Sequence, residues 1–159
     1  EDHADRDQPH VGQRKGKPFR RERRARVSLD TESLEALSDR GGNRIQIFTE
    51  DGEFIEEWPD VTDPVGVYID ENESVWVNSA RLNRILKYSR DGELLYHFGV
   101  YGGTRGGFPG GLARPHQIDV DENGTLYVTS WDGGWVNKFV PKSGADPSKL
   151  VGKRLILTE

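Results

Sequence analysis

Five side chains in this sequence are placed where they could do chemistry. His116 follows Pro115 at the start of a short apolar segment, Arg40 and Arg81 sit in polar turns, and Trp131 and Trp135 flank Asp132-Gly133-Gly134. A neutral imidazole is a zinc ligand when partner donors converge at about 2.0–2.1 Å, and otherwise hydrogen-bonds a backbone group at a channel mouth. A guanidinium grips a carboxylate through its planar fork, or closes a surface salt bridge. An indole stacks on a ligand or packs between structural elements. From the residues alone, both uses stay open for each of the five. Other chemistries find no constellation. There is no Cys, hence no thiolate zinc site, cysteine nucleophile or disulfide framework. The serines lack a nearby histidine, and carboxylate pairs such as Glu56-Glu57 and Asp119/Asp121 fall in strands or turns. The glycine-rich run from Gly99 to Leu112 has no Lys-Ser/Thr ending and is no phosphate loop.

The elements that must position these residues are repeated. Val67-Tyr68-Ile69-Asp70-Glu71-Asn72-Glu73-Ser74-Val75-Trp76-Val77 recurs as Ile118 to Val128, with a fainter copy from Val27 to Leu37. Asn43-Arg44-Ile45 recurs as Asn83-Arg84-Ile85, and Val136-Asn137-Lys138-Phe139 closes the third copy. The offsets are 40 and 51 residues. A period near 40 in short alternating strands signals a β-propeller. Each copy reads as four strands. Asp51-Gly52 and Asp91-Gly92 mark hairpins between the third and fourth strands. The fold class is therefore all-β, a propeller array of about three four-stranded blades at 27–58, 65–98 and 116–159. The last strand is expected over Lys153–Leu157. Three blades cannot close a ring without open edges, so these are expected to be part of a longer, six-bladed propeller, or else to self-associate through those edges.

Strand parity sorts the loops. The start of the first strand, the turn between the second and third, and the connector between blades must share one face. That face collects Arg40, Arg81, His116, Trp131, Trp135 and the glycine-rich run, which is read as a loop. The hairpin turns at Asp70, Asp121, Asp51 and Asp91 lie opposite and read as structural. The connector face is the default site, for a small peptide-like substrate or a protein partner.

Charge is uneven along the chain. Residues 1–26 hold nine Lys/Arg against five Asp/Glu, while 27–159 hold 13 against 22. The basic stretch is read as a disordered, solvated segment, and nucleic acid is not an expected partner because Phe19 is its only aromatic. No apolar run reaches the roughly 18 residues that would span a membrane.

The pattern Pro-x-x-Ile/Val, Asp-x-x-Gly, Leu-Tyr-Val and Asn-Arg-Ile-x-x-Phe resembles the NHL repeat. Ser38 to Phe48, Arg114-Pro115-His116-Gln117-Ile118 and Val140 to Pro147 look more narrowly like the peptidyl-α-hydroxyglycine α-amidating lyases. That resemblance implies a metal-dependent C–N lyase, secreted or periplasmic, in which three post-proline histidines hold a zinc. It makes His116 a zinc ligand and Arg40 the arginine that binds and polarises the substrate; the shared connector face, not the resemblance, makes Arg81, Trp131 and Trp135 substrate-binding candidates. It also departs from the family. Ala25 stands where a second histidine is expected, and Gln117 stands where the family has a calcium-binding Asp. The alternative is a non-catalytic NHL propeller that binds a protein, a glycan or a nucleic acid.

Overall fold

The computed structural model describes residues 24–29, 32–49, 51–103, 108 and 110–155, with backbone only for 24–29 and 32–34. Most of the basic segment, residues 1–23, lies outside the described residues. Three antiparallel sheets follow one another along the chain. The first runs β1 (Arg24–Leu29), β2 (Glu32–Asp39), β3 (Arg44–Thr49) and β4 (Phe54–Trp58) in spatial as in chain order. The second repeats this with β5 (Pro64–Ile69), β6 (Val75–Ser79), β7 (Arg84–Tyr88) and β8 (Leu94–Phe98). After a two-stranded parallel ladder of β9 (Val100–Tyr101) with β10 (Gly111–Leu112), the third holds β11 (Pro115–Val120), β12 (Leu126–Ser130) and β13 (Val136–Phe139). These are meandering propeller blades in a partial β-propeller.

Packing follows from strand composition. β-branched and aromatic residues recur in the second and third strands of blades two and three and in the third strand of blade one, and the blades stack face to face across two apolar layers. One layer joins blades one and two through Ala36, Ile45, Ile47, Trp58, Val75 and Val77. The other joins blades two and three through Tyr68, Trp76, Ile85, Ile118, Leu126 and Val128. β6 contributes to both layers, so all five of its residues are buried, whereas β12 alternates buried and half-buried because only one of its faces is covered. The aromatics repeat across the layers. Trp58 stacks on Tyr88 at 5.8 Å between ring centroids, and Phe98 meets Phe139 edge-on at 6.2 Å.

Three expectations change. First, β1 begins at Arg24, so the first blade starts inside the stretch read as a solvated segment. Second, the run from Gly99 to Leu112 is not a plain loop. Its ends pair as β9 and β10, Gly102 donates its N–H to the Leu112 carbonyl at 2.8 Å, and Leu112 is fully buried between blades two and three. Gly102 and Gly111 approach so closely that a Cβ on Gly111 would lie 2.5 Å from the Gly102 Cα. Third, the described part of the expected strand Lys153–Leu157, residues 153–155, pairs with blade two, and residues 156 and 157 lie outside the described residues. Arg154 bridges Asp70, Lys153 accepts from Glu71 N–H, and Leu155 donates to the Ile69 carbonyl, all at the end of β5. The tail crosses to blade two because that blade holds the acceptors and the apolar seat. Gly152 N–H reaches the buried Asp70 carboxylate, and Leu155 packs on the first apolar layer. Among the described residues β13 pairs only with β12, and Val136 is 59% exposed where the equivalent Ile45 and Ile85 are 0% exposed.

Candidate functional site

The turns between second and third strands are built alike in all three blades. Residues 40–43 and 80–83 are four-residue turns and 131–135 takes their place in blade three, and the fourth residue of each has positive φ: Asn43 at 53°, Asn83 at 55° and Gly134 at 66°. Asn tolerates this conformation better than most residues. In the first two blades the amide does further work. Asn43 Oδ1 accepts the Asp63 N–H at 2.8 Å, and Asn83 Oδ1 accepts the Arg114 N–H at 2.8 Å. Asp63 and Arg114 each precede the proline that starts the next blade, and each is held at positive φ (46° and 51°). The carbonyls of these two residues accept Ala80 N–H and Trp131 N–H from the following turn. A strained residue persists only where its surroundings over-determine it, and here each is clamped at both its N–H and its C=O. The connectors and turns therefore form one hydrogen-bonded face.

The inner strands carry a bulge on this face. In blade three the ladder pairs Pro115 with Ser130 and Gln117 with Thr129, leaving His116 as the extra residue, and in blade two Val65 occupies the same place. Bulges re-aim a side chain out of the pleat. The half-buried His116 ring lies against Trp131, with centroids 4.9 Å apart and planes 33° apart. Trp131 is 65% exposed, so the two rings form a ledge open to solvent. Gly66 explains the close fit of the two inner strands, since a Cβ there would stand 2.7 Å from the His116 carbonyl oxygen.

The remaining predicted residues divide. Arg40 is engaged through Nε with Asp63 Oδ1, which ties blade one to the start of blade two. Arg81 is exposed in its turn, and no ion pair engages it among the described residues. Trp135 folds over its own turn, where a Cβ on Gly133 would strike its ring. Of the five, the structure brings His116 and Trp131 into contact, places Arg81 in the turn that latches Arg114, and sets Arg40 in blade one, two blades from that contact. Asp63, Asn43, Asn83 and Arg114 are the residues sequence reasoning passed over. Their signal was the repeated Asn-Arg-Ile, read there as a repeat marker and not as a latch. Arg114 adds a half-exposed cation whose Nη1 is 3.6 Å from Asp132 Oδ1.

A three-histidine zinc site does not fit these residues. Among the described residues no three His, Cys, Asp or Glu side chains converge as a metal-binding group. Among the described residues His116 is the single imidazole of the connector face, Ala25 lies within β1, and exposed Gln117 brings a neutral amide where a calcium site would want a carboxylate.

The opposite face is structural. Asp70, fully buried, accepts N–H groups of Asn72 and Ser74 on Oδ1 and those of Trp76 Nε1 and Gly152 on Oδ2. Asp121 repeats the arrangement with Asn123, Thr125 and the Tyr127 hydroxyl. Those bonds, led by the Thr125 backbone N–H, hold the Asp121 carboxyl below its usual range. Tyr68 donates to the Gly152 carbonyl at 3.0 Å, and burial pushes its phenol up to about 12 against the opposing pull of Arg154.

Comparison with known proteins agrees with this architecture. No protein-family model matches the chain. It is 30% identical over 130 residues to human NHL repeat-containing protein 3 and 29% identical over 129 residues to the mouse protein. Each match covers 74% of this chain and 37% of the relative, so the chain spans little more than a third of the curated relatives' length. Among solved structures it is similar to a luciferin-regenerating enzyme at 20% identity and a TM-score of 0.47, over 76% of this chain and 39% of that one. The chain is an NHL-type propeller array.

Proposed function

We propose that these NHL-type blades form a ligand-binding module whose contact surface is the connector face, and that the ligand is a peptide carrying an aromatic ring next to a carboxylate. The observation that carries this reading is the open His116–Trp131 ledge, where a 65% exposed indole held against an imidazole offers a stacking surface to an aromatic ring. Arg114, whose carbonyl accepts the Trp131 N–H, supplies one cation, exposed Arg81 lies in the turn whose Asn83 accepts the Arg114 N–H, and a guanidinium fork suits a carboxylate. The clamped turns behind the ledge hold it in place before any ligand arrives, which lowers the ordering cost of binding. Titration of the chain with a short peptide containing adjacent Phe and Glu residues, followed by tryptophan fluorescence, tests the reading. Saturable quenching lost in Trp131→Ala and weakened in Arg81→Ala supports it. Quenching unchanged in both variants would sink it.

A second reading, the amidating-lyase chemistry, rests on one observation: His116 sits in a post-proline bulge, where the resemblance expects a zinc ligand. Such a metal would need two further donors from outside the described residues, and Arg40 would have to leave Asp63 to reach a substrate. Stoichiometric zinc retained by the chain and lost in His116→Ala favours this reading; zinc retained equally by both removes His116 from it.

A further inference from the structure

We propose a second binding site, on the flank between blades two and three, for a planar aromatic carboxylate. It shares no residue with the His116 ledge and does not depend on the reading of that ledge.

The gap between neighbouring blades is filled in one case and open in the other. Trp58 pairs with Ile45 at the end of blade one, as Phe98 pairs with Ile85 at the end of blade two. Tyr88 pairs with Val75, as Phe139 pairs with Leu126. Between blades one and two the Trp58 indole fills the gap. It is 6% exposed, lies on Tyr88, and presses against the hairpin so closely that a Cβ on Gly92 would stand 2.6 Å from it. Between blades two and three the smaller Phe98 takes that role. A cavity of about 290 Å³ remains beside it, walled by Tyr96, Phe98, Leu126 and Phe139 and bounded by Pro141 and Val151. That size is at the lower end of small-molecule sites, roughly 300 Å³.

The wall contributed by the tail is fixed before a ligand arrives. Buried Lys87 donates to the Ser148 carbonyl at 2.8 Å, Tyr68 to Gly152, and Gly152 to Asp70. The charge at the rim selects the ligand class. Exposed Lys142 and Lys149 line the cavity; Lys142 has no ion pair among the described residues, and Lys149 stands 5.8 Å from the Tyr96 ring centroid and 3.8 Å from exposed Asp146. An aromatic body replaces the missing indole, stacking on the Tyr96, Phe98 and Phe139 rings, while an anionic tip meets the ammonium groups.

Calorimetric titration of the 159-residue chain with 2-naphthoate tests the site. The expected result is one ligand per chain, with affinity at least about tenfold lower for neutral 2-naphthalenemethanol and for the double variant Lys142→Gln/Lys149→Gln. Phe98→Trp, which fills the cavity as Trp58 does in the preceding gap, is expected to abolish binding while unfolding as cooperatively as wild type. Should Phe98→Trp fail to fold, the naphthoate-to-alcohol ratio and the surface double variant still decide the matter. Absence of saturable binding, equal affinity for the neutral alcohol, or undiminished binding in the lysine double variant each overturns the proposal. So does binding that persists in a folded Phe98→Trp.

Discussion

The side-chain amide of Asn83 accepts the backbone N–H of Arg114 at 2.8 Å, and through that bond the second blade fixes where the third begins. Asn43 does the same for Asp63. Removing the acceptor while keeping the backbone conformation isolates the latch. Asn83→Gly retains access to positive φ and leaves the Arg114 N–H without its partner. The expected loss is about 1 kcal/mol of unfolding free energy, read by urea denaturation. Asn83→Ala keeps a Cβ at φ 55° without the side-chain bonding that lets Asn adopt it, and should lose more than Asn83→Gly.

Asp70 gathers four N–H donors from its own turn, from Trp76 and from the tail. Asp70→Ala leaves the buried Trp76 indole N–H without an acceptor and frees Gly152. We expect a loss of about 3 kcal/mol or more, together with increased proteolysis within residues 150–155. Asp70→Asn keeps one acceptor oxygen and should lose less.

Tyr68 titrates at high pH. Its folded value, about 12, lies above the ordinary value near 10, so its contribution is complete below pH 10 and is lost as pH rises through about 12. Tyr68→Phe removes that dependence. Thermal unfolding should show the variant about 1 kcal/mol less stable at pH 8, through loss of the bond to Gly152, with a shallower decline between pH 10 and 12.

Glu73 adopts φ 59° at the turn position where the third copy has Gly124 at φ 76°. Glu73→Gly relieves that strain and should raise the melting temperature, by roughly 0.5–1 kcal/mol of stability after the extra unfolded-chain entropy. The exposed pair with Arg90, 3.7 Å apart, offsets little of this.

How much could be read from the residues follows from what repeats. The blades were legible because Ile45 and Ile85, Val75 and Leu126, and the Asp-containing turns recur in step, and period alone sorts their loops onto two faces. The tail was not legible. Lys153 to Leu157 alternates like a strand, but residues 153–155 are placed by Asp70 and the backbone around Ile69, which no local pattern announces. Arg40 was identified as a residue of the connector face, yet its engagement with Asp63 depends on the pre-proline turn bringing that carboxylate back across a blade boundary. Leu112 was hidden in a glycine-rich run because composition marked the run as loop, whereas close approach of Gly102 and Gly111 lets it enter the core. Trp135 packs on its own turn because Gly133 leaves room for the ring, and nothing in its spacing separated that from stacking on a ligand.

The central claim, that the connector face binds a ligand through the His116–Trp131 ledge, is tested most directly by amide and indole chemical-shift mapping with the Phe-Glu peptide. The prediction is saturable shifts at the Trp131 indole, His116 and Arg81, absent in Trp131→Ala, with the indole resonances of Trp58 and Trp76 unmoved. Shifts confined to the hairpin face around Asp70 and Asp121, or no saturable shift at all, would contradict it.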